Sequence, residues 1–307
     1  MLPAGAGRQH RLMALWHPPA GTAVEQARGL VLYVHPFAEE MNKTRRMAAL
    51  QARALAVAGY GVLQIDLKGC GDSSGEFGDA SWQDWIADVH AAVRWLRERS
   101  TAPLILWGLR AGCLVLADAA AQMPPSWPDE TCDFVFWQPT PSGAPVLRQF
   151  LRTAAAAAFL DGGGKGVVDA LRKRLAAGQA VEVGGYRINP AMAVGLEAAR
   201  LPVPARLGRL VWLECSAVVG SNSTLPPLSP PFSPPLSPPL SPPLSPPLTL
   251  ASVSASTAWR LAAARFEVRL VPGPPFWQTA EIETAPALIE ATLAALQGSR
   301  ETTTVPG

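Results

Sequence analysis

The chain has 307 residues, a hydrophobic fraction of 49%, a charged fraction of 16% and a formal net charge of +2. That balance supports a sizeable core in one large α/β domain or two small ones and excludes general disorder. With no basic block beyond Arg172-Lys173-Arg174, it also argues against nucleic acid as a partner.

The N-terminal stretch MLPAGAGRQHRLMALWHPP lacks the sustained apolar region of a signal peptide. No run reaches the ~18 apolar residues of a membrane span. Cys70, Cys113, Cys132 and Cys215 are scattered without metal-ligand spacing, so no metal and no cofactor is expected. The expectation is a soluble cytoplasmic protein in a reducing compartment.

Arg11 to Trp16 can form an edge strand. Leu30 to Val34 is a continuous apolar run after Gly29 and reads as a buried strand. Met47, Leu50, Ala54 and Val57 recur at helical spacing, and Gly59 ends that helix. Val62 to Ile65 is the next strand, and Trp82, Trp85, Ile86, Val89, Val93 and Leu96 form a long helical stripe. Strand Leu104 to Trp107 precedes a helix over Ala111 to Gln122. Strands Phe134 to Trp137, Leu210 to Leu213 and Phe266 to Val271 follow, with a last helix over about Ala285 to Leu296. Strands apolar on both faces and separated by helices predict a mostly parallel, doubly wound sheet covered on both sides.

Two segments break this rhythm. Residues 140–207 are rich in Ala, Gly and Arg and read as a cap inserted into the sheet. Residues 222–250 are built on the tetrad Ser-Pro-Pro-Leu, with Phe232 once in place of Leu. Proline lacks the N–H that helix and sheet require, so this low-complexity loop should be extended at about 3.1 Å per residue. The predicted organisation is a core over 1–139, the cap over 140–207, a core strand in 208–221, the Pro-rich loop over 222–250, the rest of the core over 251–300 and a tail over 301–307.

The run Leu104 to Cys113, LILWGLRAGC, reads as strand, Gly-x-Arg-x-Gly turn and helix start. It resembles the nucleophile elbow of an α/β-hydrolase, in which a serine stands at the centre. Here the centre is Arg110. The stretches HPFAEEMNKTRR, DLKGCGDSSG, WGLRAG, FWQP and PGPPFW extend the resemblance over about residues 30–290. They are similar to the serine-aminopeptidase-like branch of the α/β-hydrolases and, more narrowly, to the exosortase A system-associated hydrolase 2 family. The resemblance implies an α/β-hydrolase fold, hydrolysis of an ester or related acyl bond, and a setting in bacterial loci for exopolysaccharide production. It also implies proteins of such a locus as partners.

Residue by residue, the machinery is incomplete. A guanidinium stays protonated and has no usable lone pair for attack on a carbonyl. The four histidines, His10, His17, His35 and His90, all precede the elbow, whereas the base of these hydrolases follows the last strand. The acid position after Leu210 to Leu213 offers Glu214. Cys113, Ser73 and Ser74 are alternative nucleophiles, read more simply as a packed thiol and turn hydroxyls. Asp66 reads as a loop anchor. Pro36 replaces the glycine of the oxyanion loop and removes an N–H donor, leaving His35 to hold that loop.

The candidate ligand site comprises His35, Phe37, Glu39, Glu40, Leu109, Arg110, Ala111 and Phe276. A buried guanidinium needs carboxylate partners, so Glu39 or Glu40 is expected to pair with Arg110. Arg110 and the helix N-terminus behind it would together favour a small anionic or acyl ligand. Three functions stay open: an unconventional hydrolase, a catalytically silent ligand-binding protein, and a partner-binding component.

Overall fold

The computed structural model describes residues 1–4, 10–123, 131–160, 166–216 and 250–298. The Pro-rich loop over 222–249 and the tail lie outside them. β1 (Leu2–Ala4) and β2 (His10–Leu12) form an antiparallel ribbon, and β3 (Ala14–His17) joins the main sheet. The expected edge strand over Arg11 to Trp16 is therefore split at Met13. That residue gives its N–H to Ser73 Oγ, and its carbonyl accepts from Asp66 N–H, which turns the chain from ribbon to sheet.

The alternation of strand and helix follows the apolar periodicity. β4 (Leu30–Val34) leads to α1 (Glu39–Val57), β5 (Gly61–Ile65), α2 (Trp82–Arg97), β6 (Leu104–Leu109), α3 (Ala111–Ala121) and β7 (Cys132–Trp137). Ser81 caps α2 through the Asp84 N–H, and Asp84 accepts the Ser81 N–H in return. Gly59, at φ +88°, ends α1 where a side chain would be strained.

Between residues 140 and 207 lie α4 (Gly143–Leu160), α5 (Val167–Ala176), the hairpin β8 (Val181–Val183) and β9 (Tyr186–Ile188), and α6 (Pro190–Ala198). The core resumes with β10 (Leu207–Ser216), α7 (Leu250–Ala262), β11 (Arg265–Pro272) and α8 (Pro286–Gln297). The sequence reading missed α7. That helix begins where the proline repeat stops, and its Trp259 is fully buried.

Among the described residues the main sheet has the order β11-β10-β7-β6-β4-β5-β3, parallel throughout except for β3. Alternation along each strand feeds two cores. In β4, Leu30, Leu32 and Val34 join α2 and α3 on one face, whereas Val31 and Tyr33 join α1 and α8 on the other. Among the described residues, no helix is long and apolar enough to cross a membrane.

A buried carboxylate ties the N-terminal ribbon to this frame. Asp88 on α2 has no exposed surface and accepts from His10 Nε2 (2.7 Å) and Lys68 N–H (2.8 Å). Burial raises its pKa to about 6, against the opposing pull of those two hydrogen bonds. Between about pH 6 and the ordinary value near 3.8, the folded chain holds a proton on Asp88 that the unfolded chain has released. The Asp88 contribution to stability therefore rises as pH falls through 6 and levels off below about 4. Urea titrations of the wild type and Asp88→Asn should show the difference moving in favour of the wild type from pH 7.5 to 4.5. A constant difference would contradict the assignment.

Candidate functional site

At the end of β6 the chain makes one sharp turn and enters α3. Arg110 sits at its apex with φ 55° and ψ −120°, a backbone conformation that side chains rarely adopt. Arg110 N–H donates to the Trp137 carbonyl (2.9 Å), and its own carbonyl accepts from Cys113 N–H (3.1 Å). The flanking glycines are required by contact. A Cβ on Gly108 would stand 2.8 Å from the Cys113 backbone, and one on Gly112 would stand 2.4 Å from the Val34 carbonyl oxygen. The whole elbow frame is present, with a guanidinium on it.

The Arg110 side chain meets two partners. Its Nη2 donates to Glu40 Oε1 (3.2 Å) and its Nε lies 3.4 Å from Oε2, a two-pronged ion pair. The guanidinium carbon lies 5.6 Å from the centre of the Trp277 ring. Burial pushes the Glu40 carboxyl up, and the charge of Arg110 opposes that rise. The expected carboxylate pair thus forms with Glu40, the second residue of α1. Glu39, one residue earlier, turns elsewhere: its Oε2 accepts from Tyr186 Oη (2.9 Å) and Asn42 Nδ2 (3.0 Å). It thereby ties α1 to the β8–β9 hairpin.

The loop after β11, where a triad histidine would stand, carries aromatic rings instead. Phe276 is fully buried against Trp137, and the neighbouring Trp277 faces Arg110. Sequence reasoning singled out Phe276 and passed over Trp277. Both rings are buried in the same core cluster, so their order in the sequence carried no signal for which of them meets Arg110. Leu109 and Ala111 are likewise buried, at the end of β6 and the start of α3. Ala111 opens α3, so its N–H is one of the unpaired donors that a helix leaves at its N-terminus.

His35 holds the loop above the sheet. Its Nε2 accepts from Leu67 N–H (3.1 Å), so Nδ1 carries the proton and donates to the Pro36 carbonyl (2.8 Å). Burial lowers its pKa, which keeps the ring neutral. Glu214 is buried and accepts from Trp212 Nε1 (2.8 Å). No histidine follows residue 90 in the chain, so Glu214 has no imidazole of the usual triad to orient.

The alternative nucleophiles have structural partners. The Cys113 thiol is fully buried beside the Trp137 carbonyl, and burial pushes it well above the ordinary thiol range. Ser73 Oγ accepts from Met13 N–H and donates to the Asp66 carbonyl, and Ser74 Oγ bridges both backbone groups of Arg11. Asp66 pairs with Arg45 (3.0 Å). Among the described residues no group of three or more His, Cys, Asp and Glu side chains is disposed to hold a metal.

Above the elbow, rings fill the space between the sheet and α4. Phe37 meets Phe77 and Phe150 edge-on, each at 5.3 Å between centroids, and Trp85 at 5.7 Å. Tyr186 closes the cluster on Phe77 at 5.2 Å. What remains is a cavity of about 90 Å³ between Phe37, Ala38, Glu39 and Glu40 on one side and Val146, Gln149, Phe150 and Thr153 of α4 on the other.

This arrangement of sheet, elbow and covering helices is an α/β-hydrolase fold. Residues 25–156 match the model of the serine aminopeptidase S33 family. The ferulic acid complex of Est1E from Butyrivibrio proteoclasticus is similar in structure, with a TM-score of 0.57, 13% identity and 94% of each chain covered. A soluble variant of monoglyceride lipase from Saccharomyces cerevisiae gives a TM-score of 0.52 at 13% identity, covering 97% of this chain and 96% of that one. The human protein ABHD12B is 26% identical over 125 residues, which are 36% of this chain and 33% of ABHD12B. The chain therefore spans about a third of that relative's length.

Proposed function

We propose that this chain is a non-hydrolysing α/β-hydrolase-fold protein whose elbow recognises a small carboxylate or acyl phosphate. The observation that carries the reading is Arg110, held in the backbone conformation of a nucleophile and bonded to Glu40. An elbow glycine frame with no nucleophile on it still aims the positive end of α3 at the pocket. A ligand anion reaches Arg110 by displacing the Glu40 carboxylate, so Glu40 acts as the internal competitor. The adjoining 90 Å³ holds a short acyl group and little more, since one water occupies about 30 Å³ in the liquid.

Residues 140–207 act as the cap on this site. On the resemblance carried by HPFAEEMNKTRR and WGLRAG, the protein works in the cytoplasm, in a bacterial exopolysaccharide or exosortase locus. The ester hydrolysis implied by that resemblance lacks both attacking group and base, and the loss of either one removes most of a triad's rate enhancement. A partner-binding role within the same locus is the second reading, favoured by the aromatic plug that leaves so little space below α4.

Thermal shift with acetyl phosphate and propionate tests the ligand reading, because a ligand bound by the native state raises the melting temperature. Both should stabilise the wild type, stabilise Glu40→Gln more, and leave Arg110→Gln unchanged. No shift in either protein that retains Arg110, or an equal shift in Arg110→Gln, would overturn it.

A further inference from the structure

β11 is the last strand of the sheet on its side among the described residues. Gly273, just after it, gives its N–H inward to the Ser216 carbonyl, in step with the pairing of β10 and β11. Strand alternation then turns the N–H and C=O groups of Glu267, Arg269 and Val271 inward, toward β10, and those of Phe266, Val268 and Leu270 outward. An eight-residue edge of this kind is a template for another strand. Its side chains carry a pattern. Glu267 and Arg269 pair with one another on one face, while Leu270, 47% exposed, lies in line with Phe266 and Val268 on the other.

We propose that this edge pairs with β11 of a second copy of the chain, antiparallel and about a two-fold axis through Val268. The register follows from charge. With Val268 opposite its own counterpart, Glu267 stands opposite the partner's Arg269 and Arg269 opposite the partner's Glu267. Phe266 then covers the exposed Leu270 of the partner subunit. Each pair occurs twice, as a two-fold interface requires. Arg265 to Val271 overlap, and the outward groups of Val268, and of Phe266 opposite Leu270 of the partner subunit, fall in hydrogen-bonded positions. Sliding the strands by one residue each sets Glu267 against Glu267 and Arg265 against Arg269, both repulsive. Sliding the other way sets Arg269 against Arg269, which is also repulsive. A single register therefore satisfies charge, hydrogen bonding and apolar cover together.

The test is the oligomeric state of the full chain by sedimentation velocity, from 1 to 100 µM. The wild type should show a concentration-dependent dimer. Arg269→Glu, which sets acid against acid, should raise the dimer dissociation constant at least tenfold with the circular dichroism spectrum unchanged. The exchange Glu267→Arg with Arg269→Glu should restore it to within about threefold, since opposite charges again face each other. A wild-type monomer throughout, an Arg269→Glu variant that dimerises as well as the wild type, or a charge exchange without rescue would each overturn the proposal. A wild-type monomer that dimerises only after removal of residues 222–248 would mean that the proline-rich segment occupies the edge, which also overturns it. Should Arg269→Glu fail to fold, Leu270→Lys tests the same contact through its apolar face, with loss of dimer expected.

Discussion

Arg110→Ala should destabilise the protein by about 2–4 kcal/mol in urea unfolding, the cost of leaving a largely buried carboxylate without its partner. The guanidinium is 13% exposed and the Glu40 carboxylate 18%, so solvent offsets part of the loss. Adding Glu40→Gln to Arg110→Ala should recover more than half of it, because the uncompensated charge is then gone. Glu40→Gln alone should cost less than Arg110→Ala, since Arg110 keeps Trp277 over its guanidinium. The double-mutant cycle should give a coupling of about 1–3 kcal/mol between the two positions. Additive effects would mean that the pair does not hold the elbow. Arg110→Ser, which writes the usual elbow residue back, should leave p-nitrophenyl acetate turnover at background. A hydroxyl at the apex still has no imidazole to take its proton, because every histidine precedes the elbow in the chain.

Gly112→Ala should be at least as damaging, at about 3 kcal/mol, and should act through sterics alone. The added methyl would stand 2.4 Å from the Val34 carbonyl and 2.7 Å from the His35 carbonyl, both backbone atoms of β4 and its exit. Neither can move aside without breaking the β4 to β6 ladder or the His35 clasp on Leu67. Chemical denaturation should report a lower midpoint with an unchanged slope. A midpoint equal to the wild type would show that α3 can slide off the sheet at no cost, and the tight elbow geometry would then be wrong.

Much of this fold is readable from the order of residues because buried parallel strands leave unbroken apolar runs. LVLYV became β4 with both ends as read, and the helical stripe from Trp82 became α2. The reading failed where the signal is not periodic. The split at Met13 depends on hydrogen bonds to Ser73 and Asp66, some sixty and fifty residues away. α7 follows a proline repeat that hides its start. At the site, the Arg110 to Glu40 pair could be anticipated because a buried cation must find an anion close to the elbow. Choosing Glu40 over Glu39 needed the helical phase of α1, and finding Trp277 needed the direction of a loop that has no repeat. The closing of the pocket by Phe37, Phe77, Phe150 and Tyr186 joins four separate segments, and no local pattern encodes it.

Intact-mass spectrometry after incubation with a fluorophosphonate measures whether any serine in the folded chain is activated for attack. With Arg110 clasped by Glu40 at the apex, and with Ser73 and Ser74 bonded to backbone, the mass should be unchanged after an incubation that fully labels a serine esterase. A stoichiometric adduct on the native protein, lost when Ser73 or Ser74 is replaced by alanine, would contradict the account and return this chain to the working hydrolases.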